Sequence, residues 1–252
     1  MTESELQALT LDLIHLEKGD HKSAAKGVCA MEAVAWLAGE DHTDHPECAC
    51  RAIAAYVRRL NDWAPDEQRQ QLRAFLPRLI GSRSKEHLVP RAEYLARQAV
   101  TVFLPLMYEE LKRPEIAADL RALPAEATMI ELRDAARNAR QRFSADADAY
   151  AYASAADAAA DAAADADAAA AYAADAYAYA ADAAADAYAA GGKAASRAAT
   201  RSARDAARQK LWEAAIAALD GVLAIGPAGD SAITPALVER LEAYQVLLQK
   251  AA

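Results

Sequence analysis

The chain has 252 residues, with 28 Lys and Arg against 37 Asp and Glu, a formal charge of −9 and a mean hydropathy of −0.12. That length suffices for one or two domains with a sizeable core. The acidic balance argues against a general binder of nucleic acid or anionic membrane, because nothing overall neutralises phosphate. Hydrophobic residues reach 54%, but alanine supplies much of this, and no apolar run is long enough to span a bilayer.

The opening residues, Met1 to Thr10, lack a basic stretch followed by an apolar core, so no secretory leader is expected. The segment Leu9-Thr10-Leu11-Asp12-Leu13 alternates like a strand. Glu32 to Ala38 reads as a helix stopped by Gly39. Ile53, Tyr56, Val57 and Leu60 form one apolar stripe on a helix that starts near Cys50. Asn61 to Pro65 should break it, and Asp66 should cap the next helix, which carries Leu72, Phe75 and Leu76. Gly81 to Ser84 reads as a loop. Pro90, Pro114 and Pro124 look like first-turn prolines of later helices, and Pro105 should kink or split one. Trp36, Trp63 and Trp212 are expected as core or helix-interface anchors. Arg133, Arg137, Arg140 and Arg142 read as a solvated helix face.

Composition changes at Ser144. From there to Ala190 the 47 residues are 30 Ala, 9 Asp, 6 Tyr and 2 Ser. Alanine has the highest helix propensity, so a helix is expected rather than disorder, about 70 Å long at roughly 1.5 Å per residue. Asp161, Asp165, Ala168, Tyr172, Asp175, Tyr179, Asp182 and Asp186 form a stripe that steps alternately by four and three. After Gly191-Gly192, Arg197, Arg201, Arg204 and Arg208 repeat that step. Asp186 and Arg197, Asp182 and Arg201, Tyr179 and Arg204, and Asp175 and Arg208 are each equidistant from the glycine pair. An antiparallel αα-hairpin turning at 191–192 would set acid against base, and tight packing would follow from the small Ala faces. Each exposed ion pair contributes only ~0–1 kcal/mol, so the pattern sets register more than stability. The alternative is one continuous helix with a solvated Asp face and a kink at the glycines. Ice binding is disfavoured by the carboxylates, and nucleic-acid binding by the nine aspartates beside the Arg stripe. After the linker 226–231, Thr234-Pro235 should open a last helix, with Leu237, Leu241, Tyr244 and Leu248 as its seam.

One window carries chemistry. It holds His21, Cys29, Glu32, His42, Asp44, His45, Cys48 and Cys50. Three cysteines cannot build a disulfide framework, and without an export signal a reducing cytoplasm is expected. Cys and neutral His are the natural ligands of Zn²⁺. The favoured structural zinc set is His21, Cys29, His45 and Cys48, with His42 and Cys50 as substitutes and Asp44 or Glu32 orienting an imidazole. The spacing matches no standard zinc knuckle. The competing reading makes Cys29 a small buried hydrophobe and Asp44-His45-Pro46 a helix cap. A catalytic alternative is a metal- or thiol-dependent hydrolase centred on Cys29, Glu32 and His45, with Glu32 as base beside an open zinc site or Cys29 as a thiolate paired with His45 or His21.

The run Gly27-x-Cys29-x-Met31-Glu32-Ala33-Val34, with Ala38-Gly39-Glu40 and Asp44-His45-Pro46-x-Cys48, followed by Ile53-Ala54-Ala55 and Leu60-Asn61-Asp62, resembles a family of uncharacterised proteins from actinobacteria and their phages. The likeness covers roughly residues 9–82 by motif and the Ala-rich tail by composition. It implies no activity; it implies that His21, Cys29, His45 and Cys48 belong to one unit. The tail departs from that family in being rich in Asp and Tyr rather than mixing Arg and Trp.

The expectation is therefore an all-α chain with a helical domain over 1–143, an Ala-rich hairpin over 144–225 and a packing helix over 232–252. Its expected role is a cytoplasmic, non-enzymatic interaction or scaffold protein, zinc-stapled or not. The expected partner is a protein, or a second copy bound through the Ala-rich helices, and neither nucleic acid nor membrane.

Overall fold

The computed structural model describes residues 11–143, 201–228 and 235–251. Among these, every regular element is helical, and the extended pairing is an isolated parallel bridge between Leu16 and Val28. The fold class is all-α. No described helix is long and apolar enough to cross a membrane. The proposed turn at Gly191-Gly192, and all of the Ala-rich region before Arg201, lie outside the described residues. The chain divides into two compact units. One comprises the residues up to Lys85 together with those from Leu223 onward, and the other spans Glu86–Val222.

In the first unit, residues 11–13 end a helical turn instead of forming a strand, and Ile14 N–H closes it on the Leu11 carbonyl at 3.1 Å. Leu11 and Ile14, three residues apart, are buried beside the turn, whereas Leu13 is exposed. The next stretch is held by side chains. The Gln70 amide accepts from Leu16 N–H and donates to Leu16 C=O, both at 2.9 Å, which imitates a strand partner. Helix α1 (Ala30–Ala38) is buried along most of its length and ends at Gly39. Gly39 adopts φ 79° and returns its N–H to the Ala35 and Trp36 carbonyls, a left-handed cap that favours glycine.

Helix α2 (Arg51–Trp63) buries Ala52, Ile53, Ala55, Tyr56, Val57 and Leu60, the expected stripe. It does not break at Asn61. Asn61 is fully buried inside its last turn, where Oδ1 accepts from Ala30 N–H (3.1 Å) and Nδ2 donates to Glu17 C=O (2.8 Å). The helix end is closed by Arg69, which donates to the Asn61 and Ala64 carbonyls at 2.7 and 2.8 Å. Those carbonyls would otherwise lack helical donors. Asp66 is the first residue of α3 (Asp66–Gln70) rather than its cap, and it pairs with Arg69 at 3.0 Å. A 3₁₀ turn (Gln71–Phe75) and α4 (Leu76–Leu79) follow. Trp63 is exposed rather than a core anchor.

In the second unit, α5 (Leu88–Gln98) and α6 (Leu104–Glu110) are joined without interruption by a π-helical turn, Ala99–Phe103. Pro105 accounts for it: proline offers no N–H and its ring crowds the preceding turn, so the helix widens there and Leu104 N–H reaches back to Ala99 C=O. Pro90 and Pro114 lie in the first turns of α5 and α7 (Pro114–Arg121) as expected. Pro124 does not begin a helix; it forms a turn closed by Ala127 N–H. Helix α8 (Met129–Phe143) starts five residues later, and Thr128 and Glu131 make a reciprocal capping box. Helix α9 (Arg201–Leu223) buries Leu211, Trp212, Ala215 and Leu219. Gly221 on α9 accommodates Tyr94 of α5 so closely that a Cβ there would lie 1.9 Å from its hydroxyl.

The last helix, α10 (Pro235–Ala251), belongs to the first unit. Pro235 opens it, and Leu237, Leu241 and Tyr244 are buried. The proposed cap Thr234 lies outside the described residues, as does the side chain of Leu248.

Candidate functional site

The chemistry-bearing window folds around Glu32. Cys29 is the extended N-cap of α1, and Glu32 stands three residues on, so the pair forms a capping box with a thiol in the place usually taken by a hydroxyl. Glu32 N–H donates to Cys29 Sγ (3.4 Å), and Cys29 N–H donates to Glu32 Oε2 (2.7 Å). The same carboxylate then gathers a distant loop. His21 N–H donates to Oε1 at 2.7 Å, and His21 Nδ1 lies 2.8 Å from Oε2. A carboxylate only accepts, so the His21 proton sits on Nδ1. Its other nitrogen, Nε2, lies 3.5 Å from Glu17 Oε2. Gly27, at φ 124°, passes so close to this imidazole that a Cβ would lie 2.8 Å from it.

His42 completes the cluster. Its Nε2 is 2.8 Å from the His21 carbonyl and 3.4 Å from Glu32 Oε1. The carbonyl can only accept, so Nε2 carries the proton and Nδ1 holds a lone pair. That Nδ1 is buried and has no hydrogen-bond partner among the described residues.

Electrostatics follow from this geometry. Burial raises the Glu32 pKa, but the N–H groups of Cys29 and His21 and the His21 imidazole outweigh it, and the carboxyl ends below its ordinary value. The Cys29 thiol is pushed up to about 12, chiefly by burial, with the Glu32 charge adding to it. A thiol in that state carries almost no thiolate at neutral pH and is a poor nucleophile.

Of the four residues expected as zinc ligands, two share one carboxylate and the other two each meet a different one. His21 and Cys29 both bind Glu32. His45 is exposed, with Nδ1 on Asp44 Oδ1 at 2.6 Å. Cys48 belongs to a loop whose backbone is held by Glu40: Glu47 N–H and Cys48 N–H donate to the two Glu40 oxygens at 2.6 and 2.7 Å. Burial, reinforced by Glu40, raises the Cys48 thiol to about 11. Cys50, a proposed substitute, is the buried N-cap of α2, and its N–H donates to Ser82 Oγ at 3.0 Å. Among the described residues, no group of three or more His, Cys, Asp or Glu side chains is arranged to hold a metal ion. Asp44, proposed to orient an imidazole, does bind His45, and Glu32 does bind His21.

Glu40 and Asn61 carry no site role in the sequence reading, and each organises a loop. The Cys29-x-x-Glu32 interval was the available signal for the first turn of α1, since it has the spacing of a capping box.

Among the described residues the fold is all-α, and this polar cluster is centred on the buried carboxylate of Glu32. No family model, curated protein or solved structure matches the chain.

Proposed function

We propose that the chain is a non-enzymatic helical interaction or scaffold protein that associates with a second copy of itself through the Ala-rich region. The observation that supports this best is the engagement of Glu32. The residue best suited to act as a base instead accepts two backbone N–H groups and one imidazole N–H. The thiol beside it is protonated and caps a helix, and His45 stands on a different carboxylate. The groups a hydrolase would need are thus committed to holding loops.

The association element is argued from the amino-acid pattern. An Ala face buries little area per residue at roughly 25 cal/mol per Å², so long Ala-rich helices gain most by packing along their length against another helix. The Asp and Arg stripes on either side of Gly191-Gly192 supply the register. The backbone of the later arm is helical from Arg201.

The test is sedimentation of the full chain beside a variant carrying Arg197→Glu, Arg201→Glu, Arg204→Glu and Arg208→Glu. Three weak ion pairs turned repulsive, with Arg204 facing Tyr179 in the same alignment, should weaken association by about tenfold or more. Equal association of the two proteins would overturn the role of the stripes.

A further inference from the structure

Cys29 lies between the two elements on which α10 rests. The helix packs against the turn Ala24–Lys26, which precedes this thiol in the chain, and against α1, which follows it. Its seat is specific. The Trp36 indole N–H donates to the Arg240 carbonyl at 3.1 Å, and Arg240 Nη1 donates to the Trp36 carbonyl at 3.3 Å. The Arg240 guanidinium lies over Gly39, 2.0 Å from a Cβ built there. The Trp36 and Tyr244 rings meet edge to face, with centroids 6.1 Å apart, and Leu237 and Leu241 are buried.

The same helix reaches the polar cluster. Glu32 and Trp36 are one turn apart on α1, so the cluster and the seat share a face. Burial pushes the Tyr244 hydroxyl pKa up, and the charges of Glu17 and Glu32 push it further. Those are the two carboxylates that flank the His21 ring, and a charge shifts a phenol in this way only from nearby. Cys50 is buried elsewhere, at the start of α2, where its N–H donates to Ser82 Oγ.

We infer that α10 is a lid over the Glu32 cluster: seated, it closes Cys29 and its capping box to solvent, and lifted, it opens them while α2 keeps its fold. Proteins open in parts of this kind at a lower free energy than global unfolding. This role is independent of the Ala-rich region and of the proposed association.

The experiment is alkylation of the native full-length chain by iodoacetamide at neutral pH, read at each cysteine by peptide mass. The reagent forms a sulfur–carbon bond and releases iodide and the thiol proton. Leu241→Ala with Tyr244→Ala weakens the seat and leaves every residue of the cluster in place. Labelling of Cys29 should rise about tenfold or more over wild type, with Cys50 unchanged. Cys29 labelled at the wild-type rate would overturn the inference. If the double change unfolds the whole unit, Cys29 and Cys50 are labelled together, and Arg240→Ala takes its place, because it removes one hydrogen bond to Trp36 and keeps the leucine seam. A selective gain of about threefold at Cys29 is then expected. No gain there, or an equal gain at Cys50, would overturn the inference.

Discussion

Replacing Glu32 by Gln tests the central cluster most sharply, because shape is kept and one acceptor becomes a donor. Glu32 Oε1 accepts from His21 N–H, and Oε2 accepts from Cys29 N–H and His21 Nδ1. Whichever way the Gln amide turns, its NH₂ faces at least one N–H donor. With NH₂ at the Oε1 position, it meets His21 N–H and the His42 Nε2 proton, and keeps the other two bonds. Hydrogen bonds to charged groups are worth about 1.5–3 kcal/mol each, and a buried donor left unpaired costs about 1–3 kcal/mol. The expected loss is about 2–4 kcal/mol in the first unit. Urea unfolding followed by tryptophan fluorescence reads it, since Trp36 and Trp63 lie in this unit and Trp212 lies in the other.

The pH dependence carries a definite sign. The Glu32 pKa is lowered on folding, so its contribution is present above its unfolded value and is lost as pH falls through the folded one. The gap between wild type and Glu32→Gln should therefore be full near neutrality and shrink below about pH 4.5. A gap under about 0.5 kcal/mol at neutral pH, the size of an ordinary surface change, would refute the reasoning.

Cys29, buried with its pKa near 12, should resist alkylation in the native protein at neutral pH and react once urea unfolds the first unit; rapid native labelling at Cys29 contradicts this. Cys29→Ser should cost less than about 1 kcal/mol, because serine is a strong N-cap, and thermal unfolding reads the difference. The purified protein should hold no stoichiometric zinc, and its melting temperature should not move with a chelator, because His21, Cys29, His45 and Cys48 do not form one ligand set among the described residues. Elemental measurement showing one zinc per chain would contradict this and support that set. Asn61→Ala should destabilise the first unit by about 2–4 kcal/mol, since it leaves Ala30 N–H and Glu17 C=O without their buried partner; a change within the surface range would show the link to be dispensable.

Helices were legible wherever local rules act alone. The stripe from Ile53 to Leu60, the stop at Gly39 and the opening prolines at 114 and 235 all depend on neighbours in sequence. Asn61 was misread because a polar residue near a proline resembles a breaker, whereas its amide bridges residues 31 and 44 positions away. Pro124 drew attention from Thr128-x-x-Glu131, which caps α8 by a spacing visible in the chain. The site was half legible. The window from His21 to Cys50 does hold the polar cluster, and Glu32 does orient an imidazole. Closeness in sequence does not fix direction, however. His45 and Asp44 are adjacent and satisfy each other at the surface, while His42, three residues earlier, reaches the buried carboxylate.

The proposed self-association predicts a mass that depends on concentration. Sedimentation equilibrium of the full-length protein over a wide concentration range tests that most directly. The predicted result is a mass that climbs with concentration from the 26.8 kDa of one chain towards twice that value. A single species at the one-chain mass throughout would contradict it.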